Sequence, residues 1–374
     1  MAPKKTKWNA RSHITDLIIG LLEQGVGPWV CPWTRHNRGY DRAANVLDGS
    51  LPFNPCTGKG RSYNGLNPWL LAGASIVNGW TDPRFCTYKQ LTKKKWKIKE
   101  DQPRKAGGPG PSDVYFWHIV NEERDPKTGE ITRGKFFTVK MYRVWNYQQL
   151  EGPEPWAVPE APEPLKPLGP VEDGVDWEEA AARDLYALAF KVCEAWDSEV
   201  PCSHGGDRAF YVPSADRIQM PTLDQFKSKA KANDTTVVEG IRYYLATRFH
   251  EMVHSTGHPS REKRDFSGRF GNEAYAFEEL IAEIGAAILM AAAGVVSTGE
   301  VREDHASYIQ SWIKVLKGDK QAIFTADSQA KKGVKRILDH AEKAGALPKP
   351  TKGGSTKPKG KARKKRSKAK AKAA

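Results

Sequence analysis

The stretch YYLATRFHEMVHSTGHPSR, residues 243–261, decides how half of this chain folds. His250 and His254 stand four apart, and Glu251 follows the first directly. On an α-helix that spacing puts both imidazoles on one face, within reach of a single ion. Leu245, Phe249, Met252 and Val253 form an apolar side next to them, as expected of a helix packed into a core. Gly257 and Pro259 then stop the helix. Neutral imidazole suits Zn2+, and a catalytic zinc keeps three protein ligands and one position for water. Glu251 is placed to act on that water as general base.

The third ligand must come from elsewhere. The longer motif H-E-x-x-H-x-x-G-x-x-H would need a histidine at 260, where Ser260 stands. His258 lies four beyond His254, but Gly257 and Pro259 break the helix around it. The apolar stretch NEAYAFEELIAEIGAAILMAAAG, residues 272–294, offers carboxylates on a second helix. An unpaired carboxylate in so apolar a helix is costly, so these glutamates need partners. The arrangement resembles the glutamate zincins. That resemblance implies Glu279 as third ligand, with Glu278 its rival. It also implies Glu283, four residues on, as a hydrogen-bond partner of His250 or His254, fixing the imidazole tautomer.

Around this centre the chain divides. Its 374 residues suffice for two ordinary domains. Residues 151–171 carry seven prolines with acidic spacers, which reads as a semi-rigid extended linker. It separates an N-terminal domain, 1–150, from a C-terminal one, 172–347. A Lys-rich tail, 348–374, has too little apolar material to fold alone. Charge follows the same division. Residues 1–150 hold 24 Lys/Arg against 12 Asp/Glu, residues 151–347 hold 23 against 32, and the tail holds 12 against none. Such a distribution fits separate tasks rather than one basic protein.

The fold class expected is α+β. In the N-terminal domain, Ile14, Leu17, Ile18, Leu21 and Leu22 form a helical stripe ended by Gly25 and Pro28. DVYFWHIV and GKFFTVKMYRVW read as a β-hairpin with a long loop. The C-terminal domain is mostly helical. Helices are expected over 177–196, from about 239 through the histidines, over 272–293, 304–317 and 327–344. AFYVPSADRIQMP reads as a short edge hairpin before the histidine helix, either structural or able to accept a peptide as an added strand. No run of about 18 apolar residues crosses a membrane, and the basic start lacks the apolar core of a secretory signal. Five scattered cysteines make no C-x-x-C pair. A cytoplasmic protein without a membrane partner is expected.

The N-terminal half also interleaves aromatic and basic residues. Single strands of nucleic acid are held by basic grooves and aromatic plates, because every base has a π-face. Trp29, Trp33, Tyr63, Trp69, Trp80 and Trp96 supply aromatics, with Arg61, Lys93, Lys94, Lys95 and Lys97 supplying charge. About half of these aromatics should be core instead.

ITDLIIGLLEQGVGPWVCPW (14–33), NPCTGKGRSYNGLNPWLL (54–71) and KMYRVWNYQQLEG (140–152) resemble the N-terminal domain of ArdC-type antirestriction proteins. FHEMVHSTGHPSR (249–261), EELIAEIGAAIL (278–289) and residues 305–338 resemble the zincin-like metallopeptidase domain of the same family. The resemblance covers about residues 10–345. It implies sequence-independent binding of single-stranded DNA by the first domain, for which Trp29, Trp33, Arg61, Tyr63, Asn64 and Lys93–Lys95 are the candidate contacts read from the residues themselves. It also implies a Zn2+ centre at His250, His254 and Glu279 with Glu251 as base, acting on a protein substrate held at DNA. Such proteins come from plasmids, phages and other mobile elements. Residues 92–113 are longer and more charged than the turn the family has there, and the Lys-rich tail is an addition.

Overall fold

Where the apolar periodicity is strongest, the chain winds into helices. In the computed structural model these are α1 (Ala10–Glu23), α2 (Asn67–Asn78), α3 (Tyr88–Lys93), α4 (Trp177–Leu185), α5 (Ala187–Asp197), α6 (Leu223–Ala232), α7 (Val237–Ser255), α8 (Glu273–Ala293), α9 (Glu303–Gly318) and α10 (Ala322–Lys343). The structure describes residues 9–29, 40–41, 46–47, 51–57, 61–124, 128, 130–134, 136–155, 177–266, 272–295 and 303–347. Trp33, the tail and nearly all of the Pro-rich linker lie outside these residues, as does the side chain of Arg61.

The strands are short. β1 (Tyr40–Asp41) pairs with β2 (Val46–Leu47), and β3 (Phe53–Asn54) with β4 (Arg61–Ser62). β5 (Phe85–Thr87) and β7 (Ser112–Val120) flank β10 (Phe136–Asn146) in an antiparallel sheet, with Tyr115 opposite Met141 and Trp117 opposite Val139. β6 (Lys97–Ile98) pairs with β11 (Leu150–Glu151), and β8 (Glu123–Arg124) with β9 (Ile131–Arg133) towards the hairpin tip. In the C-terminal half, β14 (Arg217–Met220) lies between β12 (Cys202–His204), parallel to it, and β13 (Phe210–Val212), antiparallel.

Two expectations shift. The helix over 177–196 breaks at Tyr186, whose backbone leaves the helical region, giving α4 and α5. In α1 the buried stripe is Ile14, Ile18, Ile19 and Leu22, while Leu17 is exposed. The stripe turns because α1 does not pack within its own half alone; it lies against α9. Trp29 and Trp312 meet edge to face there, with ring centroids 5.5 Å apart. Trp69 on α2 donates its Nε1–H to Asp327 on α10 at 3.0 Å. One apolar core therefore runs from Ile18 and Trp29 through Trp312 and Leu316 to Leu280, Ile284 and Phe249. Each fully buried aliphatic chain in that seam contributes about 1.5–3 kcal/mol, enough to hold the two halves together.

The metal centre depends on how closely α7 and α8 approach. Thr236 caps α7 by accepting the Glu239 N–H at 3.2 Å, and Asn272 caps α8 by accepting that of Tyr275 at 2.8 Å. These residues suit N-caps because a side-chain oxygen satisfies a free helix donor. Gly285 of α8 sits on Val253 of α7, where an added Cβ would come within 2.7 Å of a valine methyl. The missing side chain lets the helix axes close until the carboxylates of α8 reach the histidines of α7.

Candidate metal centre

α7 presents His250 and His254 one turn apart, with Nε2 atoms 3.0 Å from each other. α8 brings Glu279 across them: one carboxylate oxygen is 3.2 Å from His250 Nε2, and the other is 3.5 Å from His254 Nε2. One ligand atom from each of the three residues fits within 4.8 Å of the others, and all three residues are buried. The outward nitrogens also face carboxylates. Glu283 lies 2.9 Å from His250 Nδ1, and Glu278 lies 3.0 Å from His254 Nδ1. Glu278 is fixed in turn by Arg264, which donates from Nη2 at 2.8 Å and from Nε at 2.9 Å.

Glu278 and Glu279 thus separate by direction. Successive helix positions point about 100° apart, so one faces the space between the two Nε2 atoms while its neighbour reaches the back of His254. This donor set fits a divalent metal. Two imidazoles and a carboxylate converge, and each imidazole has a carboxylate behind it to fix its tautomer. His258 takes no part: its Nδ1 is 2.7 Å from Ser260 Oγ and 3.8 Å from Asp216. Among the described residues no fourth protein ligand closes the cluster.

A cavity of about 790 Å3 opens over the cluster, lined by His250, Glu251, His254 and Glu279, and by Phe210 and Tyr211 of β13. Glu251 is buried and shares this cavity with both histidines. Tyr275, one turn before Glu279 on α8, has its hydroxyl 3.3 Å from that of Tyr308 on α9. Burial, then Tyr308 and Glu279, push the Tyr275 phenol far above its usual range. Sequence patterns do not single out Tyr275, Tyr308 or Arg264 for this site. The one signal present is the four-residue offset from Tyr275 to Glu279.

Burial opposes charge on both imidazoles, yet the carboxylates outweigh it. Glu283 and Glu279 hold His250 well above 6.5, and Glu278 and Glu279 lift His254 to about 9. Burial raises the Glu279 carboxyl, but the two histidines more than cancel this and hold it well below the usual range. The metal-free centre therefore carries protons where a metal would bind. A histidine raised by folding stabilises the fold fully below its unfolded pKa, and loses that effect as pH climbs through its folded one. For His254 the window runs from 6.5 to about 9. The stripped chain should lose thermal stability across it. The metal-loaded chain should not, so the difference in Tm between them should widen with pH. A difference that is flat or narrows would mean that these imidazoles do not hold the protons.

The residues expected to touch single-stranded DNA fare differently. Trp29 and Tyr63 are buried, as are Trp69 and Trp80, so none presents a stacking face. Trp29 fills the seam between α1 and α9, and Tyr63 packs in a smaller core with Leu71, Phe85 and Val114. Trp96 is half-buried against Tyr147. Asn64, Lys93, Lys94 and Lys95 are exposed, and the three lysines have no ion-pair partner among the described residues. Among the described residues of this half, the large aromatic chains that face outward are Tyr88, Trp117 and Tyr142. No helix among the described residues is long and apolar enough to cross a membrane.

Comparison with known proteins bears on both halves. Residues 9–145 match the family described as the N-terminal domain of anti-restriction factor ArdC, and residues 194–329 match the zincin-like metallopeptidase family. The chain is 29% identical over 348 residues to an uncharacterized protein, y4eC, of Sinorhizobium fredii, covering 91% of this chain and 95% of that one. It is 33% identical over 322 residues to a DNA primase TraC of Escherichia coli, covering 86% of this chain but 26% of the primase. The metal-free crystal structure of the antirestriction ArdC protein from plasmid R388 superposes with a TM-score of 0.58 at 28% identity, covering 90% of this chain and 99% of that one. The Mn(II)-bound structure of the same protein gives 0.56 at 26% identity, covering 89% and 98%.

Proposed function

Because the chain is an ArdC-type protein, with the ArdC N-terminal domain and the zincin-like domain in that order, we propose that it is a single-stranded-DNA-binding antirestriction protein of a mobile element whose helical half is a zinc-dependent peptidase. It works in the cytoplasm, on protein held at DNA. The observation that carries the peptidase reading is the buried cluster of His250, His254 and Glu279 opening onto a cavity that also holds Glu251. A purely structural zinc is closed by a fourth protein ligand, and His258, the residue in sequence to supply one, points at Ser260.

Bound zinc would supply Lewis acidity towards a water and a peptide carbonyl. The chain's own residues supply the rest. Glu251 is the base that accepts a proton in the cavity. Glu278 and Glu283 hold the two imidazoles in one tautomer and orientation. β13 is an edge strand whose Phe210 and Tyr211 line the cavity, so an extended peptide can be added along it with its carbonyl over the cluster.

The nucleic-acid reading rests on charge. Lys93, Lys94 and Lys95 stand exposed in the half matching the ArdC domain, without an acidic partner among the described residues. Fluorescence anisotropy of oligo(dT) with the full chain at several salt concentrations tests it. Affinity should fall steeply with salt, because neutralised phosphates release counterions. Replacing all three lysines by alanine should lower the log–log slope by about 0.7 for each phosphate they neutralise. Binding indifferent to salt, or a slope unchanged in the triple variant, would remove this surface from the DNA path.

A further inference from the structure

With Trp29 and Tyr63 in the core, single-stranded DNA needs another aromatic plate, and the β7–β10 hairpin exposes one. Of the large apolar side chains that face solvent among the described residues, Trp117, Ile119, Met141 and Tyr142 all sit on this hairpin. Alternation along β7 puts Trp117 and Ile119 on the face of Tyr115. The register sets Met141 opposite Tyr115, so it shares that face. Trp117 is 45% exposed, Ile119 53% and Met141 40%. Tyr142 lies on the reverse face, against Phe116. The base of the Trp117 face is closed by α1 and α10: His13 meets Tyr115, and Phe324 meets the edge of Trp117 at 6.4 Å. The outer part of this face stays open to solvent at Ile119.

Charge says what kind of partner belongs there. The Arg11 guanidinium lies over the Trp117 ring, 5.1 Å from its centroid. Arg143, paired with Asp113 at 3.6 Å, stands on the same face, two residues from Met141, and is 63% exposed. The eight residues preceding Asn9 include Lys4, Lys5 and Lys7 and no acid. An aromatic plate bordered by cations fits a chain that alternates flat bases with phosphates. A protein partner or a second copy of this chain would need acidic groups opposite these cations. We infer that the Trp117 face of the β7–β10 hairpin is the base-stacking platform for single-stranded DNA, with Arg11 as its phosphate contact. This rests on the reading of the N-terminal half as a single-strand binder, and it moves the stacking residues from Trp29 and Tyr63 to Trp117.

The full-length chain tests it by anisotropy with labelled oligo(dT) and with a duplex of equal length. Trp117→Ala should weaken oligo(dT) binding about 5- to 150-fold, the range for loss of one stacked base. Duplex binding should change far less, since paired bases offer no free face. Trp117→Phe keeps a plate and should retain most of the affinity, which separates stacking from misfolding. Leu185→Ala, exposed on α4, serves as the control. Trp117→Ala that binds oligo(dT) like the parent overturns the platform but leaves the single-strand reading standing. A parent chain that does not bind oligo(dT) overturns both. A shift in sedimentation between parent and Trp117→Ala, with DNA affinity unchanged, would make the face a self-association surface and overturn the inference.

Discussion

His250→Ala, His254→Ala and Glu279→Ala chains should each come through purification folded and without zinc, while the parent chain holds one ion. The loss should exceed the about 10- to 100-fold weakening expected when only a partner behind a ligand is removed. Glu283→Gln and Glu278→Gln should fall within that range, because these carboxylates meet the Nδ1 atoms of His250 and His254 rather than the shared space in front. The decisive comparison is between neighbours. Glu279 lies 3.2 and 3.5 Å from the two Nε2 atoms. Glu278 is also tied to Arg264. Metal content measured on the five variants decides it. A Glu278 variant that empties the site while Glu279→Ala keeps its ion would move the third ligand by one residue.

Glu251→Gln should cut cleavage of a DNA-bound protein by about 10²- to 10⁴-fold, the usual contribution of a general base. An amide cannot accept the proton. The same chain should keep its zinc, its fold and its affinity for oligo(dT), because Glu251 is not among the three converging ligands. Cleavage at the parent rate would remove Glu251 from the chemistry. The variant also divides two ways of protecting DNA. Antirestriction lost with Glu251→Gln would make proteolysis its basis. Antirestriction retained by Glu251→Gln, and lost when DNA binding is abolished, would make coating of the strand its basis. The second outcome is expected, since a basic protein on single-stranded DNA blocks access without turnover.

What the sequence by itself determined was local. The four-residue spacing of His250 and His254, Glu251 between them, and the apolar run around Glu279 are helix-periodic signals that need no partner to be read. The hairpin of β7 and β10 was legible from alternating β-branched and aromatic residues, and the stop of α7 from Gly257. Contacts between elements were not legible, because one-dimensional periodicity gives a face but not what lies opposite it. Glu278 and Glu279 differ only in direction across the gap between α7 and α8, and Gly285 against Val253 sets that gap. Aromatic exposure was decided in the same way. Trp29 stands among Gly and Pro and Trp117 in an alternating apolar strand, and neither setting says whether its ring is buried. One is drawn into the seam where α1 meets α9, and the other stays on a hairpin face that helices cover only at its base. The tertiary structure decided which tryptophan reaches solvent, because burial is a property of the packed surface and not of the residue.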